Sequence, residues 1–455
     1  MSLVGHEAFS IYKEINMTSY KWSDYVICVN CGDDVLCKNM MTGSIVKLSS
    51  QKMKEIKLWL EGKKNNKPEG IRQLMYPDCG IIVPYDLDEH GSWQEKYVSK
   101  RNGESELFIL HFLPTLACQL NCSYCVQGRI TRGKPMTHET YSRSLYWVRE
   151  YLVSHSEIKS FRMVLFGGEP MLKKDLAIQA TTAFHELAIG SGLDFWTEIT
   201  TNGELLDEET LKALSRCNLH KVQVTLDGPE SVHNSRRPRK IGGSSFSGAW
   251  GAIKMLLETD YVQTVDVRLS LDLSNAEFLP VLVRDLAGLG HIEKVNLSLG
   301  LTTPSFNKPS QDVWNDERMV AEKALMVWKV AKDCGFDVLQ EFVVGPWCIA
   351  IAKHSMVLQP DGALQKCFCT AGRAEYDFGS VLTTIPTAYL KDERFEMWDR
   401  IKPCLAEKCP FLPVCGGGCI HDAIVAFGEG GYTKRFCQKE LISLYNKGLL
   451  LLNYG

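Results

Sequence analysis

The chain has 455 residues, of which 45% are hydrophobic and 23% charged, with a net charge of −3. This composition belongs to globular chains, which excludes disorder as the main state, and the near-neutral balance offers no basic field for nucleic acid. No apolar run approaches the roughly 18 residues of a membrane span and no signal-peptide pattern opens the chain, so no membrane contact is expected and the cytoplasm is the expected location.

Residues 1–105 begin with two strand-like stretches, 25–29 and 44–47. A helix over 51–60, a polar linker over 62–69 and a short helix near Ile71 follow, which together read as a small α+β domain. The spacing Cys28-x2-Cys31-x5-Cys37 resembles a metal motif. Its first members fall on a predicted strand, where free cysteine serves as a small core residue, and that reading is preferred. Residues 106–335 alternate strands with helices. The strands are 107–113, 163–166, 195–199, 221–226, 265–271 and 295–299, and the helices include 137–154, 173–189, 207–215 and 311–332. Such alternation implies βαβ units and a parallel sheet. Six units predict an α/β fold built on a partial (β/α)6 TIM-like barrel, whose site belongs at the C-terminal ends of the strands. Residues 336–455 are rich in Gly, Pro and Cys with little periodicity, and 449–452 read as a terminal apolar fragment. A segment of that kind needs staples to fold.

Cysteine is the abnormal count. There are 17, an odd number. Disulfide scaffolds are short and secreted, so thiols in this number and setting point to metal. The densest group is Cys118-x3-Cys122-x2-Cys125, directly after the first barrel strand. Three thiolates can hold three irons of a cubane cluster and leave the fourth iron open to a ligand. The competing reading is a structural zinc site with a distant fourth ligand. Phe166-Gly167-Gly168-Glu169-Pro170 ends the second strand, Thr200-Thr201-Asn202-Gly203 the third and Thr225-Leu226-Asp227-Gly228-Pro229 the fourth, followed by His233 and Arg236. Gly167 and Gly168 would let the backbone approach a ligand closely, and Glu169 offers a carboxylate to an ammonium group. Each motif alone is a turn; their place at successive strand ends favours function.

The triple, with Tyr124 before its last cysteine, resembles the signature of radical S-adenosylmethionine (SAM) enzymes. In that family the open iron chelates SAM, and reductive cleavage yields a 5′-deoxyadenosyl radical that abstracts hydrogen. The resemblance covers roughly residues 107–300 and implies that Cys118, Cys122 and Cys125 hold a 4Fe–4S cluster. It also implies that Gly167, Gly168, Glu169, Thr201, Asn202, Thr225, Asp227 and Arg236 line SAM. The tail resembles the SPASM extension, which carries two auxiliary clusters. Cys348-x13-Gly362-x4-Cys367 matches, as do Cys409-x5-Cys415 and Cys415-x3-Cys419, with Cys437 last. Cys404-x4-Cys409 departs, since the family has two intervening residues there. By position Cys348, Cys367 and Cys419 hold the first auxiliary cluster, with Cys369 a fourth ligand or that iron open. Cys404, Cys409, Cys415 and Cys437 hold the second. Three 4Fe–4S clusters and SAM are thus the expected cofactors.

Three functions fit these residues. The first is modification of a ribosomally made peptide, forming a thioether or carbon–carbon crosslink. The second is formylglycine formation like that of anaerobic sulfatase maturases, whose relatives usually have an Asp after the cysteine matching Cys367; Phe368 stands there and cannot take a proton. The third is a zinc-stapled binding module. The first is preferred, with a precursor peptide or protein and an external donor of flavodoxin or ferredoxin type as partners. No acid–base catalytic residue is assigned. The order strand, strand, helix, helix in residues 1–105 resembles the N-terminal region of peptide maturases. The domain is therefore expected to bind part of a precursor and to be removable without losing SAM cleavage. A plain structural cap is the alternative.

Overall fold

The structure, a computed structural model, describes residues 19–102, 106–127, 134–302, 316–338, 348–386, 394, 398–428 and 430–455. The start of the chain and residues 311–315 of the expected 311–332 helix lie outside them.

The N-terminal part contains β1 (Tyr20–Trp22), β2 (Val26–Cys31), β3 (Asp34–Asn39), β4 (Ile45–Ser49), α1 (Ser50–Leu60), β5 (Ile82–Pro84) and α2 (Glu89–Asn102). β2, β3 and β4 form an antiparallel meander with β2 at one edge. Gly32, at φ +60°, supplies the positive φ that a two-residue hairpin turn requires. The central strand β3 is absent from the expected pattern. Cys28 pairs with Cys37 across β2 and β3, and Cys31 pairs with Asp34. Cys37 is buried in the core beneath α1, beside Val35, Met53 and Ile56. The other face of the meander (Tyr25, Ile27, Leu36, Met40) shares a second core with Trp93 and Tyr97 of α2. Ile401, Phe411, Leu412, Ile420 and Ile442 of the C-terminal tail complete that core.

The middle of the chain alternates as expected. Its elements are β6 (Leu107–Phe112), α3 (His138–Ser154), β7 (Ser160–Leu165), α4 (Lys174–Gly190), β8 (Asp194–Thr201), α5 (Glu208–Ser215) and β9 (Leu219–Leu226). Then come α6 (Glu230–Arg236), α7 (Ser245–Glu258), β10 (Thr264–Leu271), α8 (Leu279–Ala287), β11 (Val295–Leu301) and α9 (Glu317–Asp333). Strands β6 to β11 lie in chain order, each parallel to the next. Phe108, Leu110, Phe112, Val222, Val224, Val265 and Val267 pack into the main core with helix residues such as Tyr151, Phe184, Ile253 and Leu282. Because strand side chains alternate, the intervening residues line the inner face.

The tail holds β12 (Ser355–Leu358), β13 (Ala363–Gln365), β14 (Gly379–Ser380), α10 (Trp398–Ala406), α11 (Leu412–Cys415), α12 (Ile420–Phe427) and α13 (Lys439–Tyr454). β12 pairs parallel with β6 and extends the barrel sheet, and β13 and β14 continue it antiparallel. The run 449–452 belongs to α13, whose Leu441, Tyr445 and Leu449 join the main core. Among the described residues no helix is long and apolar enough to cross a membrane.

Candidate functional site

The first three strand ends are held together by backbone. Gly168 N–H donates to Thr115 O (3.1 Å) and Glu169 N–H to Ala117 O (2.9 Å), tying the Gly-Gly-Glu turn to the segment that leads into Cys118. A Cβ on Gly167 would fall 2.3 Å from Thr115 O, and one on Gly168 2.3 Å from Ala117 O. The glycines are therefore needed for close approach to the chain's own backbone, where a ligand had been expected. Glu169 has 0% exposure. Its carboxylate accepts from Thr201 Oγ1 (2.7 Å), Asn202 N–H (2.8 Å) and Met171 N–H (3.0 Å). Burial pushes its pKa up, against the pull of those donors and of Arg237. The expected ammonium acceptor is thus already a tie between the second and third strand ends. Asn202 closes the tie, with its Nδ2 3.7 Å from Cys118 Sγ and its Oδ1 accepting from Gln119 Nε2 (3.1 Å).

The cysteine loop lies antiparallel against residues 236–240. Asn121 N–H donates to Pro238 O (2.8 Å), Ser123 N–H to Arg236 O (3.2 Å) and Lys240 N–H to Gln119 O (2.9 Å). Tyr124 OH donates to the fully buried Asp227 (2.7 Å) and accepts from Arg237 Nη1 (2.7 Å). Arg236, named by the sequence, lies over the Tyr124 ring, 4.9 Å from its centroid. It gives Nε to Asp227 (2.9 Å) and Nη1 to both oxygens of Asp272 (2.8 Å each). His233 is buried, and its Nδ1 accepts from Asp227 N–H (3.4 Å). Burial, with Arg237 and Arg236 nearby, lowers its pKa to about 3. Arg237, which sequence reasoning passed over, is the buried cation felt most directly by Cys122 and Glu169. Its Nε has no partner among the described residues. A second arginine directly after Arg236 was the available signal.

Burial pushes the Cys118 thiol up to about 11, and the field of Glu169, Cys122 and Cys125 adds to it, while Leu120 N–H (3.4 Å to Sγ) opposes it. Burial raises Cys122 also, with Arg237 acting against it. Three half-buried thiols converging on one loop are the donor set a cationic iron cluster satisfies. The buried, unpartnered Arg237 Nε beside them suits the carboxylate of SAM.

The tail cysteines gather into two groups. A small cavity of about 20 Å³ is lined by Cys404, Cys409, Cys415 and Cys437, with Arg435 and Lys439. The two extra residues between Cys404 and Cys409 are absorbed in a tight turn. Lys408 takes φ +48° and Cys409 N–H donates to Cys404 O (2.9 Å). The second group is Cys348, Cys367, Cys369 and Cys419. Burial pushes Cys348 up to about 11, and Cys367 adds to the rise. Cys367 is drawn down to about 7 by a hydrogen bond from Cys369. Cys419 is raised by burial and by Asp422, Cys367 and Cys348. His421 and Asp422, unread in the sequence, stand beside Cys419, with ligand atoms all within 4.8 Å of one another. The glycine run between Cys415 and Cys419 divides the groups. Gly416, Gly417 and Gly418 take φ +57°, +84° and +90°, sending one cysteine to each.

Residues 112–272 match the Radical SAM superfamily. The sporulation killing factor maturation protein SkfB of Bacillus subtilis is 30% identical over 196 residues, 42% of this chain and 43% of its own length. The serine-type anaerobic sulfatase-maturating enzyme of Klebsiella aerogenes is 29% identical over 147 residues, 31% of this chain and 34% of its own. These alignments span less than half of either curated relative. Among solved structures, Streptococcus suis SuiB bound to precursor peptide SuiA superposes with a TM-score of 0.53 at 14% identity, covering 93% of this chain and all of that one. At that identity the likeness is one of fold. Residues 112–272 of this chain are a radical SAM domain.

Proposed function

We propose that the protein is a radical SAM maturase that forms a thioether or carbon–carbon crosslink in a ribosomally made peptide. The observation that carries this reading is the sorting of eleven cysteines into one triple at the strand ends and two tail quartets. A 4Fe–4S cluster with SAM at the triple supplies a 5′-deoxyadenosyl radical for hydrogen abstraction. Cys118, Cys122 and Cys125 hold that cluster, and Arg237 meets the SAM carboxylate. Glu169, Thr201 and Asn202 hold the strand ends in register around it. The two quartets hold auxiliary clusters, with Cys369 as the fourth ligand of the first. A flavodoxin- or ferredoxin-type donor in the cytoplasm supplies electrons. Phe368, stacked on His111 with ring centroids 5.5 Å apart, weighs against formylglycine chemistry, because its ring cannot take a proton at the position directly after Cys367.

The N-terminal meander supports a role in holding the precursor. The outer edge of β2, unpaired among the described residues, borders a groove of about 620 Å³ lined by Cys28, Val29, Met53, Lys54, Lys57 and Lys447, among others. An extended peptide can add to such an edge as a further strand. The test of the whole reading is metal and turnover. Anaerobically reconstituted protein should carry iron near twelve per chain, with matching sulfide. The Cys118→Ala/Cys122→Ala/Cys125→Ala variant should keep about eight and form no 5′-deoxyadenosine. Zinc without sulfide would end the proposal.

A further inference from the structure

The inner face of the barrel carries two polar layers. In the lower one charges are matched. Glu198 is bridged by Arg162 (2.7 Å) and Lys221 (2.9 Å), and Asp266 accepts from Asn296 Nδ2 (2.7 Å) and from Gln223. The next layer contains an unmatched cation. Arg268 of β10 has no carboxylate within ion-pair distance among the described residues. Strand register sets it between Thr225 of β9 and Ser298 of β11. Ser298 is 7% exposed, yet its Oγ has no hydrogen-bond partner among the described residues. Buried polar groups left without partners are uncommon, and they concentrate where a ligand completes them. Gly300 shapes the place. A Cβ there would fall 2.2 Å from Arg268 Nη2, so the guanidinium lies across β11 in room that glycine leaves.

We propose that Arg268 and Ser298 form a carboxylate-binding site inside the barrel, filled by a carboxylate of the substrate peptide. The inference rests on the maturase reading and adds a substrate preference to it. A guanidinium fork next to a hydroxyl donor is the geometry that recognises a carboxylate. SAM carries a carboxylate too, but Arg237 already offers it a buried cation beside the cysteine triple. Arg268 stands deeper in the barrel, two residues before Ser270 on β10, on the inner face that a substrate reaches. The carboxylate belongs to an Asp or Glu side chain or to a peptide C-terminus.

Small probes separate these sources. N-acetylglutamate N-methylamide presents a side-chain acid, N-acetylalanine a terminal acid, and N-acetylglutamine N-methylamide neither. Each is titrated by saturation-transfer NMR into SAM-loaded holoprotein, with SAM affinity measured alongside. The wild type should bind one acid probe at least about tenfold more tightly than the amide probe. Arg268→Gln should erase that preference, Arg268→Lys should keep part of it, and Gly300→Ala should weaken it by displacing the guanidinium. SAM affinity should stay within about twofold in Arg268→Gln. Absence of acid preference in the wild type, or its survival in Arg268→Gln and Gly300→Ala, overturns the site. So does a loss of SAM affinity that matches the loss of probe binding, which would give Arg268 to the cofactor. A wild type that fails to bind SAM at all overturns the maturase reading instead.

Discussion

Glu169 is a fully buried carboxylate held by three donors. Glu169→Ala would leave the Thr201 hydroxyl and the N–H groups of Met171 and Asn202 unpaired. The expected result is a stability loss of roughly 2–4 kcal/mol, visible as a lower Tm, with Glu169→Gln milder. An alanine variant with unchanged Tm and weakened SAM binding would make Glu169 a direct ligand contact instead. A second residue-scale consequence concerns acid. His354 has 0% side-chain exposure, with its Nδ1 2.9 Å from Tyr151 OH, and burial chiefly lowers its pKa to about 4. The folded state therefore binds fewer protons here than the unfolded chain, whose histidine titrates near 6.5. This contribution is complete above about pH 6.5 and is lost as pH falls toward 4, reaching about 2 kcal/mol of lost stability at pH 5. Melting curves at pH 7.5 and 5 should show a drop that His354→Gln makes smaller; an equal drop in both proteins refutes it.

At the scale of elements, Gly416–Gly418 divide the tail cysteines into their two groups, and on the proposed reading they set how iron is distributed. A Cβ on Gly418 would fall 2.1 Å from Phe436 O, at φ +90°. Gly418→Ala should pull Cys415 or Cys419 out of place and reduce iron from about twelve to about eight or fewer per chain, with SAM cleavage retained. Full iron content in that variant would show that the turn tolerates the methyl. The six barrel strands were legible because their apolar runs are buried and short, and each begins and ends within three residues of the expected bounds. β3 was not, since Asp34, Lys38 and Asn39 break its apolar pattern although Lys38 and Asn39 are buried. α2 carries Trp93 and Tyr97 on one face of an otherwise polar helix. Its partners lie in the meander and in the tail, beyond the reach of a local pattern. The cysteine groups were legible by spacing; Arg237 was passed over although it directly follows Arg236, and His421 and Asp422 although they follow Cys419 by two and three residues, because no ligand spacing marks them.

For the whole molecule, the N-terminal meander is not an independent unit. Tyr25, Ile27, Leu36 and Met40 share their core with Ile401, Phe411, Ile420 and Ile442. This shared core favours the structural-cap alternative for residues 1–105 over a domain removable without losing SAM cleavage. Expressed alone, residues 106–455 should be poorly soluble and short of tail iron, because the exposed surface belongs to the segment that holds the quartets. A soluble fragment with full iron would refute the shared core. The proposed leader binding and the structural support would fall in one domain, so point changes in the groove, such as Lys54→Glu with Lys57→Glu, are the way to separate them.

The same shared core sets a timetable for biosynthesis. The meander, which ends at Ser49, leaves the ribosome about 390 residues before Ile442, which completes its apolar face. At about 5–20 residues per second that interval is roughly 20–80 seconds. Throughout it, Tyr25, Ile27 and Leu36 have α2 but not the tail to cover them. Their final cover arrives with the tail, which also carries Cys404, Cys409, Cys415, Cys419 and Cys437. A chaperone that shields the nascent N-terminus should therefore raise the yield of metal-loaded enzyme, and slower translation should lower it.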